Sequence, residues 1–150
     1  MSRSRGFTLL ELLIVVVIVA LATTLVALSI PSNSGRALSR DAERLAALLE
    51  AARAQSRAAG VPVTWRLTAN GFAFDGLPTS TVDGHAPLPD HWLDANTQAT
   101  LLTPGGAPLV LGPDPVIGPQ AVLLHPAGQG APQLRVATDG LRPFTVESQP

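Results

Sequence analysis

A long apolar segment near the amino terminus constrains this chain more than any other feature. Residues 12–30 form a run of 19 residues that only two threonines and one serine interrupt. A helix of that length is about 28 Å long, close to the roughly 30 Å hydrocarbon thickness of a bilayer. No second run reaches the ~18 apolar residues that a span needs. The sequence therefore predicts one membrane span and excludes both a multi-span protein and a simple soluble enzyme.

Charge sets the expected orientation of this segment. Arg3 and Arg5 precede it, and a basic flank stays on the cytoplasmic side, so the remainder of the chain is expected across the membrane. All 150 residues together carry 10 basic and 11 acidic side chains and no cysteine. A basic patch for nucleic acid is therefore not indicated, and disulfides and thiolate metal sites are excluded.

Glu11 is the residue of the apolar segment that needs an explanation. An ionised carboxylate within an apolar helix costs on the order of 2.5–3.5 kcal/mol on insertion scales. The apolar run contains no cation. Cleavage after Gly6 would create one, the amino group of Phe7, one helical turn from Glu11 or beside the Glu11 of a neighbouring subunit. A glutamate tolerated at the headgroup level is the alternative.

The letters GFTLLE at residues 6–11, after a short basic leader and before the aliphatic run, resemble the signal of type IV pilins and type II secretion pseudopilins. The resemblance implies cleavage between Gly6 and Phe7 by a prepilin peptidase and N-methylation of Phe7. It also implies that Glu11 guides the docking of subunits into a filament. An ordinary secretory signal cleaved after Ser29 is the alternative, and a mature chain that begins at Ile30 would support it.

A second helix is predicted beyond a polar break at residues 31–35, where Pro31 predicts a kink. Apolar residues recur at three- and four-residue spacing from Arg36 to Ala59, and Gly60 then ends the helix. The charges between them predict a solvated face without a site, on which Glu50 and Arg53 could pair at a gain of ~0.2–0.5 kcal/mol. After Arg36, the charged residues interspersed along this segment are Arg40, Asp41, Glu43, Arg44, Glu50, Arg53 and Arg57.

The rest of the chain predicts an antiparallel β head. Residues 61–68 alternate as a half-buried strand, and Asn70–Gly71 predicts a hairpin turn because both residues tolerate positive φ. Shorter strands are predicted at 99–102, 109–111, 121–125, 133–137 and 144–147, with a turn at Asp139–Gly140 between the last two. The absence of alternating helices favours an α+β fold, a long amino-terminal helix packed on an antiparallel sheet. The predicted core residues are Leu45, Leu48, Leu49, Val63, Trp65, Leu67, Phe72 and Phe74.

Three stretches of the second helix and the head resemble the H-type minor pseudopilin of type II secretion, and its relatives among the minor type IV pilins are also similar there. They are DAERLAALLEAARAQSRAAGVPVTWRL, FAFDG and ATDGLRPFTVE. The resemblance implies two antiparallel sheets against the helix, and a subunit that caps or initiates a short periplasmic filament. The chain then divides into a leader (1–6), a transmembrane and assembly helix (7–30), an amphipathic helix (31–60) and a globular head (61–150).

Segments that could carry chemistry do not form a recognisable site. Residues 103–132 contain seven prolines and six glycines, which predicts connecting loops or, alternatively, a variable surface for subunits or cargo. Four aspartates in turns (Asp75, Asp83, Asp90 and Asp94) leave calcium as a minor alternative, since the major pseudopilins bind it. The three histidines (His85, His91 and His125) lack zinc-site spacing, and catalytic motifs are absent. We therefore expect no enzyme, no cofactor and no metal.

The sequence thus predicts a minor pseudopilin that supports protein export across the outer membrane. Its expected partners are other pseudopilins, the prepilin peptidase and methyltransferase, and inner-membrane lipid, with a single span and a periplasmic head. A minor type IV pilin for pilus assembly or DNA uptake is the alternative. DNA uptake would require a basic head, and residues 36–150 hold 8 arginines against 10 acids. A lone membrane-tethered binding protein would not explain the leader motif.

Overall fold

The computed structural model describes residues 9–29, 33–77, 87–128 and 132–148. The chain divides into two compact units, Met1–Ser32 and Asn33–Pro150. Helix α1 (Leu9–Ser29) belongs to the first. Helix α2 (Asn33–Ala59) and the strands belong to the second: β1 (Thr64–Thr68), β2 (Gly71–Asp75), β3 (Thr97–Leu101), β4 (Leu109–Val110), β5 (Gln120–Pro126), β6 (Leu134–Thr138) and β7 (Thr145–Ser148). Gly6, Phe7 and the predicted kink at Pro31 lie outside the described residues.

Helix α2 follows the predicted periodicity. It begins three residues before the expected Arg36 and ends at Ala59, where Gly60 adopts a φ of +65° as a helix terminator does. One stripe of it is buried: Leu38, Ala42, Leu45, Leu49 and Ala52. This stripe packs on strands β5, β6 and β7, so the amphipathic helix supplies one wall of the core.

The described strands form two antiparallel sheets, a three-stranded one in the order β2-β1-β4 and a four-stranded one in the order β3-β5-β6-β7. The α+β class is confirmed, and so are the two sheets that the resemblance implied. The five shorter strands lie within two residues of their predicted positions. The turn at Asp139–Gly140 joins β6 and β7 as expected, and Gly140 takes a φ of +93° there.

The first hairpin differs from the prediction in the position of its loop and in the reason for its glycine. Strand β1 begins at Thr64 instead of Val61, and Thr68 pairs with Gly71, so the two-residue loop is Ala69–Asn70. No non-glycine residue in the described ranges has a positive φ, so Asn70 does not use the freedom that suggested the turn. Gly71 is needed for space instead, because a Cβ there would lie 2.3 Å from the carbonyl oxygen of Asp90.

The core contains the predicted residues together with others that the sequence did not single out. Five of the eight predicted residues are buried, and the other three, Leu48, Leu67 and Phe74, are partly buried against the same cluster. The unpredicted members include Leu109, Leu111, Val122, Leu124, Val136 and Phe144. Four of them lie in short strands, and Leu111 and Phe144 lie one residue outside a strand. Each short strand buries one face, and which residues point inward depends on the sheet pairing.

Candidate functional site: an apolar helix, buried charges and a cleft in the head

Helix α1 exposes apolar side chains on all of its described faces. From Leu9 to Leu21 the large apolar side chains are 47–83 % exposed. A helix that is apolar all round requires burial by something outside itself. Among the residues that the structure describes, no helix combines the length and the apolar character of a membrane span.

Glu11 lies in the first turn of α1, and its side chain is exposed. A carboxylate in a first turn is favoured by the partial positive charge of the helix amino terminus, typically by about 0.3–1 kcal/mol. Cleavage at Gly6–Phe7, methylation of Phe7 and the pairing of Glu11 with the Phe7 amine stay predictions, because residues 1–8 lie outside the described ranges.

Asp41 corrects the expectation that the charges of α2 form a solvated face. It is only 1 % exposed. Its carboxylate accepts hydrogen bonds from the Leu93 N–H (2.7 Å), the Asp94 N–H (3.2 Å) and the Thr97 hydroxyl (2.7 Å). A buried carboxylate is tolerable when such donors replace water. The spacing in the sequence does indicate this burial, because Asp41 lies three residues after Leu38 and four before Leu45 and is therefore on the apolar face of the helix.

Arg53 is the second correction. It is 2 % exposed, and its guanidinium donates to the carbonyl oxygens of Pro115 (3.1 Å), Gly140 (2.9 Å) and Arg142 (3.4 Å). Two loops far apart in sequence therefore converge on one side chain and replace its water. The pair with Glu50 exists at 3.6 Å, yet it is largely buried, in contrast to the predicted exposed face.

Glu50 and Arg53 together hold the chain at the end of the head where β6 turns into β7. Glu50 accepts the main-chain N–H of Phe144 at 3.0 Å. In the same region the Ile117 N–H donates to the Gly140 oxygen at 3.3 Å. Part of the Pro- and Gly-rich segment 103–132 is thus fixed to α2 and to the last hairpin.

A cleft of about 810 Å³ opens on the head between the end of the β1–β2 hairpin, residues 91–97 and strand β3. Apolar side chains contribute to its lining through Leu67, Trp92 and Ala99, and polar ones through Gln98 and His125. Asp41 holds residues 93–97 as described above. Arg44 of the same helix donates to the carbonyl oxygen of His91 at 3.0 Å. Two charges of α2 therefore position one wall of the cleft.

The aspartates considered for calcium have local partners. Asp75 pairs with Arg66 at 2.7 Å, and this hydrogen bond raises the pKa of the arginine. Asp94 accepts the Asn96 N–H at 2.8 Å. The hydrogen bond from the His91 ring, at 3.0 Å, lowers the pKa of Asp90.

Within the described ranges, no three histidine, aspartate or glutamate residues form a group that could hold a metal ion. Asp83 and His85 lie outside those ranges. His125 sits in the cleft lining, with its Nδ1 3.2 Å from the carbonyl oxygen of Pro126.

Comparison with known proteins finds a sequence motif at the amino terminus and a similarity of fold. Residues 1–28 match the prokaryotic N-terminal methylation motif. No curated protein matches the chain. Among solved structures, the chain is similar to the type IV minor pilin FimU of Pseudomonas aeruginosa strain PAO1, with 17 % identity and a TM-score of 0.52 over 80 % of this chain and 93 % of that chain. The chain therefore carries a type IV pilin-like amino terminus and a pilin fold.

Proposed function

We propose that this protein is a minor pilin-like subunit of a filament, and specifically an H-type minor pseudopilin of a type II secretion system. The observation that carries the proposal is the helix α1, whose apolar side chains are exposed and whose first turn holds one acidic residue, Glu11. The methylation motif at residues 1–28 and the pilin fold support it. The subunit acts by packing and carries out no chemical reaction.

The proposed mechanism begins with removal of residues 1–6 and methylation of Phe7 by the prepilin peptidase and methyltransferase. The new amine then meets the Glu11 carboxylate of a neighbouring subunit away from water. An unpaired carboxylate buried among apolar helices is strongly destabilising, so the pair favours one axial register of the bundle. Close packing of the apolar helices provides the remaining stability.

Before assembly, the subunit is proposed to reside in the bacterial inner membrane with its head in the periplasm. The apolar run at residues 12–30 and the arginines before it support this orientation. Lipid would cover the exposed side chains of α1 first, and helices of major and minor pseudopilins would cover them after extraction. In that account, assembly exchanges one apolar environment for another.

Glu11 provides the test, in full-length protein expressed in a host with the processing peptidase. We expect Glu11→Leu to be cleaved to a mature chain that begins at Phe7 and to reach the membrane, but to be depleted at least about tenfold from sheared filaments. Glu11→Asp, which keeps the charge, serves as the matched control and should retain part of the incorporation. Normal incorporation of Glu11→Leu would refute the proposed role of the carboxylate.

A minor type IV pilin is the second candidate, because the fold of FimU fits both systems. The two differ in what a deletion strain loses. A pseudopilin deletion should stop the export of secreted proteins and leave surface pili, whereas a minor pilin deletion should do the reverse. For DNA uptake, a gel shift at low salt with the full chain in detergent tests the head directly, and its excess of acidic residues predicts no shift.

A further inference from the structure

Among the described strands, β3 has one edge without a neighbouring strand. Next to the ladder between β3 and β5, the Leu102 N–H donates to the Ala121 oxygen and the Ala127 N–H donates to the Asn96 oxygen. Because the hydrogen-bonded residues of an antiparallel strand alternate, residues 98 and 100 also face β5 with their main-chain groups. The main-chain groups of Ala99 and Leu101 therefore point away from β5. No described residue bonds to these groups. They leave two unpaired N–H and C=O pairs on the open edge.

Two other described edges in the head each have one outward residue that is bonded. Val110, the outward residue of β4, has both its N–H and its C=O bonded to the side-chain amide of Gln120, at 2.6 and 2.8 Å. Phe72, an outward residue of β2, donates to the carbonyl oxygen of Asp90 at 2.9 Å. Strand β7 carries the charge of Glu147. On β3 the Thr97 N–H is bonded to the Asp94 oxygen at 3.0 Å, but Ala99 and Leu101 have no bonded partner among the described residues and the strand carries no charged side chain. Natural edges are usually guarded more fully.

The cleft described above lies beside this open edge. Residues 97–100 of β3 form one side of it, and the end of the β1–β2 hairpin forms another. A further strand would lie 4.7–4.9 Å from β3 in the hydrogen-bonding direction. Because the cleft has a second wall, it suits a single extended segment better than the edge of another sheet.

The lining of the cleft specifies the character of that segment. Leu67, Trp92 and Ala99 are partly buried and continue the core. The described lining residues include no arginine, aspartate or glutamate. A charged side chain placed against this floor would lose its water without gaining a counter-charge. The matching segment is therefore uncharged, with apolar side chains at every second position.

Contacts from α2 and from the core hold the walls of the cleft in place. Asp41 and Arg44 fix residues 91–97 from α2. Trp92 packs edge-on against the buried ring of Phe72, with ring centroids 4.7 Å apart. A preformed site loses less conformational entropy on binding. This gives the buried carboxylate of Asp41 a purpose beyond stability of the head.

We propose that the open edge of β3 binds an uncharged, extended polypeptide segment of another protein, which adds as a fifth strand and places alternate apolar side chains on Leu67, Trp92 and Ala99. Main-chain hydrogen bonds to Ala99 and Leu101 supply binding, and the cleft floor supplies specificity. The inference rests on the head alone and does not depend on the filament role.

The test uses full-length protein in detergent and a capped hexapeptide of alternating valine and threonine as the probe. Hydrogen exchange of the Ala99 and Leu101 amides is expected to slow about tenfold when the peptide binds. The control is the same peptide with N-methylated valines, which keeps the side chains and removes the donors that strand addition needs. Unchanged exchange with the first peptide, or equal slowing by both, would overturn the proposal.

A protein variant adds a second measurement. Ala99→Pro removes an N–H that points away from β5, so the ladder is kept while strand addition is blocked. We expect peptide binding, followed by Trp92 fluorescence, to weaken at least about tenfold in this variant. Exposed Gln133→Ala, outside the cleft, serves as the control and should bind as the parent does. Parent-like binding by Ala99→Pro would contradict edge recognition, and the peptide pair above decides the question if that variant does not fold.

Discussion

At the residue scale, the head depends on two buried charges that α2 directs at main-chain atoms. Asp41 receives three donors from residues 93–97, and Arg53 donates to three carbonyl oxygens from two loops. Apart from the Thr97 hydroxyl, these partners are main-chain atoms, which a mutation of their own side chain does not remove, so most of the contacts survive sequence change in the loops. The arrangement lets a Pro- and Gly-rich chain keep fixed positions without regular structure.

Removal of the Asp41 carboxylate tests this dependence. Asp41→Ala leaves the Leu93 and Asp94 N–H groups and the Thr97 hydroxyl without their acceptor, so we expect the free energy of unfolding to fall by about 3 kcal/mol. Urea unfolding of the full chain in detergent, followed by tryptophan fluorescence, measures the change. Glu43→Ala, at an exposed position of the same helix, should change stability by less than about 0.5 kcal/mol. Equal stability of the two variants would contradict the role of Asp41.

At the element scale, the sequence predicted the kinds and order of the elements better than their contacts. The periodicity of α2 and the alternation around Trp65 depend on local spacing, and both predictions are confirmed. The predicted hairpin loop is wrong by one residue. Gly71 is needed because the main chain of Asp90 packs closely against it, and this contact between residues 19 positions apart has no local sequence pattern. The burial of Asp41 was accessible from helical phase, but its partners were not. Non-local main-chain contacts leave no signature in a single sequence.

Gln120 joins the two sheets and provides the prediction at this scale. Its side-chain amide bonds to the N–H and the C=O of Val110, as the main chain of a neighbouring strand would. Gln120→Ala removes these two hydrogen bonds and should lower the free energy of unfolding by about 1–2 kcal/mol. The Val110 amide should exchange faster with solvent water than in the parent. Gln133→Ala, an exposed glutamine with no hydrogen bond among the described residues, is the matched control. Unchanged exchange at Val110 would show that the bridge is not maintained in solution.

At the scale of the whole molecule, the two units place their apolar residues in opposite ways. The described side chains of α1 expose theirs. The unit Asn33–Pro150 buries a core whose members all lie between Leu38 and Phe144. We therefore expect the stability of this unit to require no residue of α1, whereas the described side chains of α1 require a cover from outside the helix. In the assembly proposed above, the surroundings of the helix would change while the head stays folded.

Removal of residues 1–32 tests this independence. Because the core lies within the second unit, we expect the chain Asn33–Pro150 to fold without detergent and to unfold cooperatively, with the same urea midpoint as the full chain in detergent. Circular dichroism and sedimentation measure the fold and the association state. Trp65→Ala in the same truncated chain removes the largest fully buried side chain and should cost about 3–5 kcal/mol, which verifies that the transition reports the core. A truncated chain that aggregates or melts without cooperativity would show that the head needs the amino-terminal unit in order to fold.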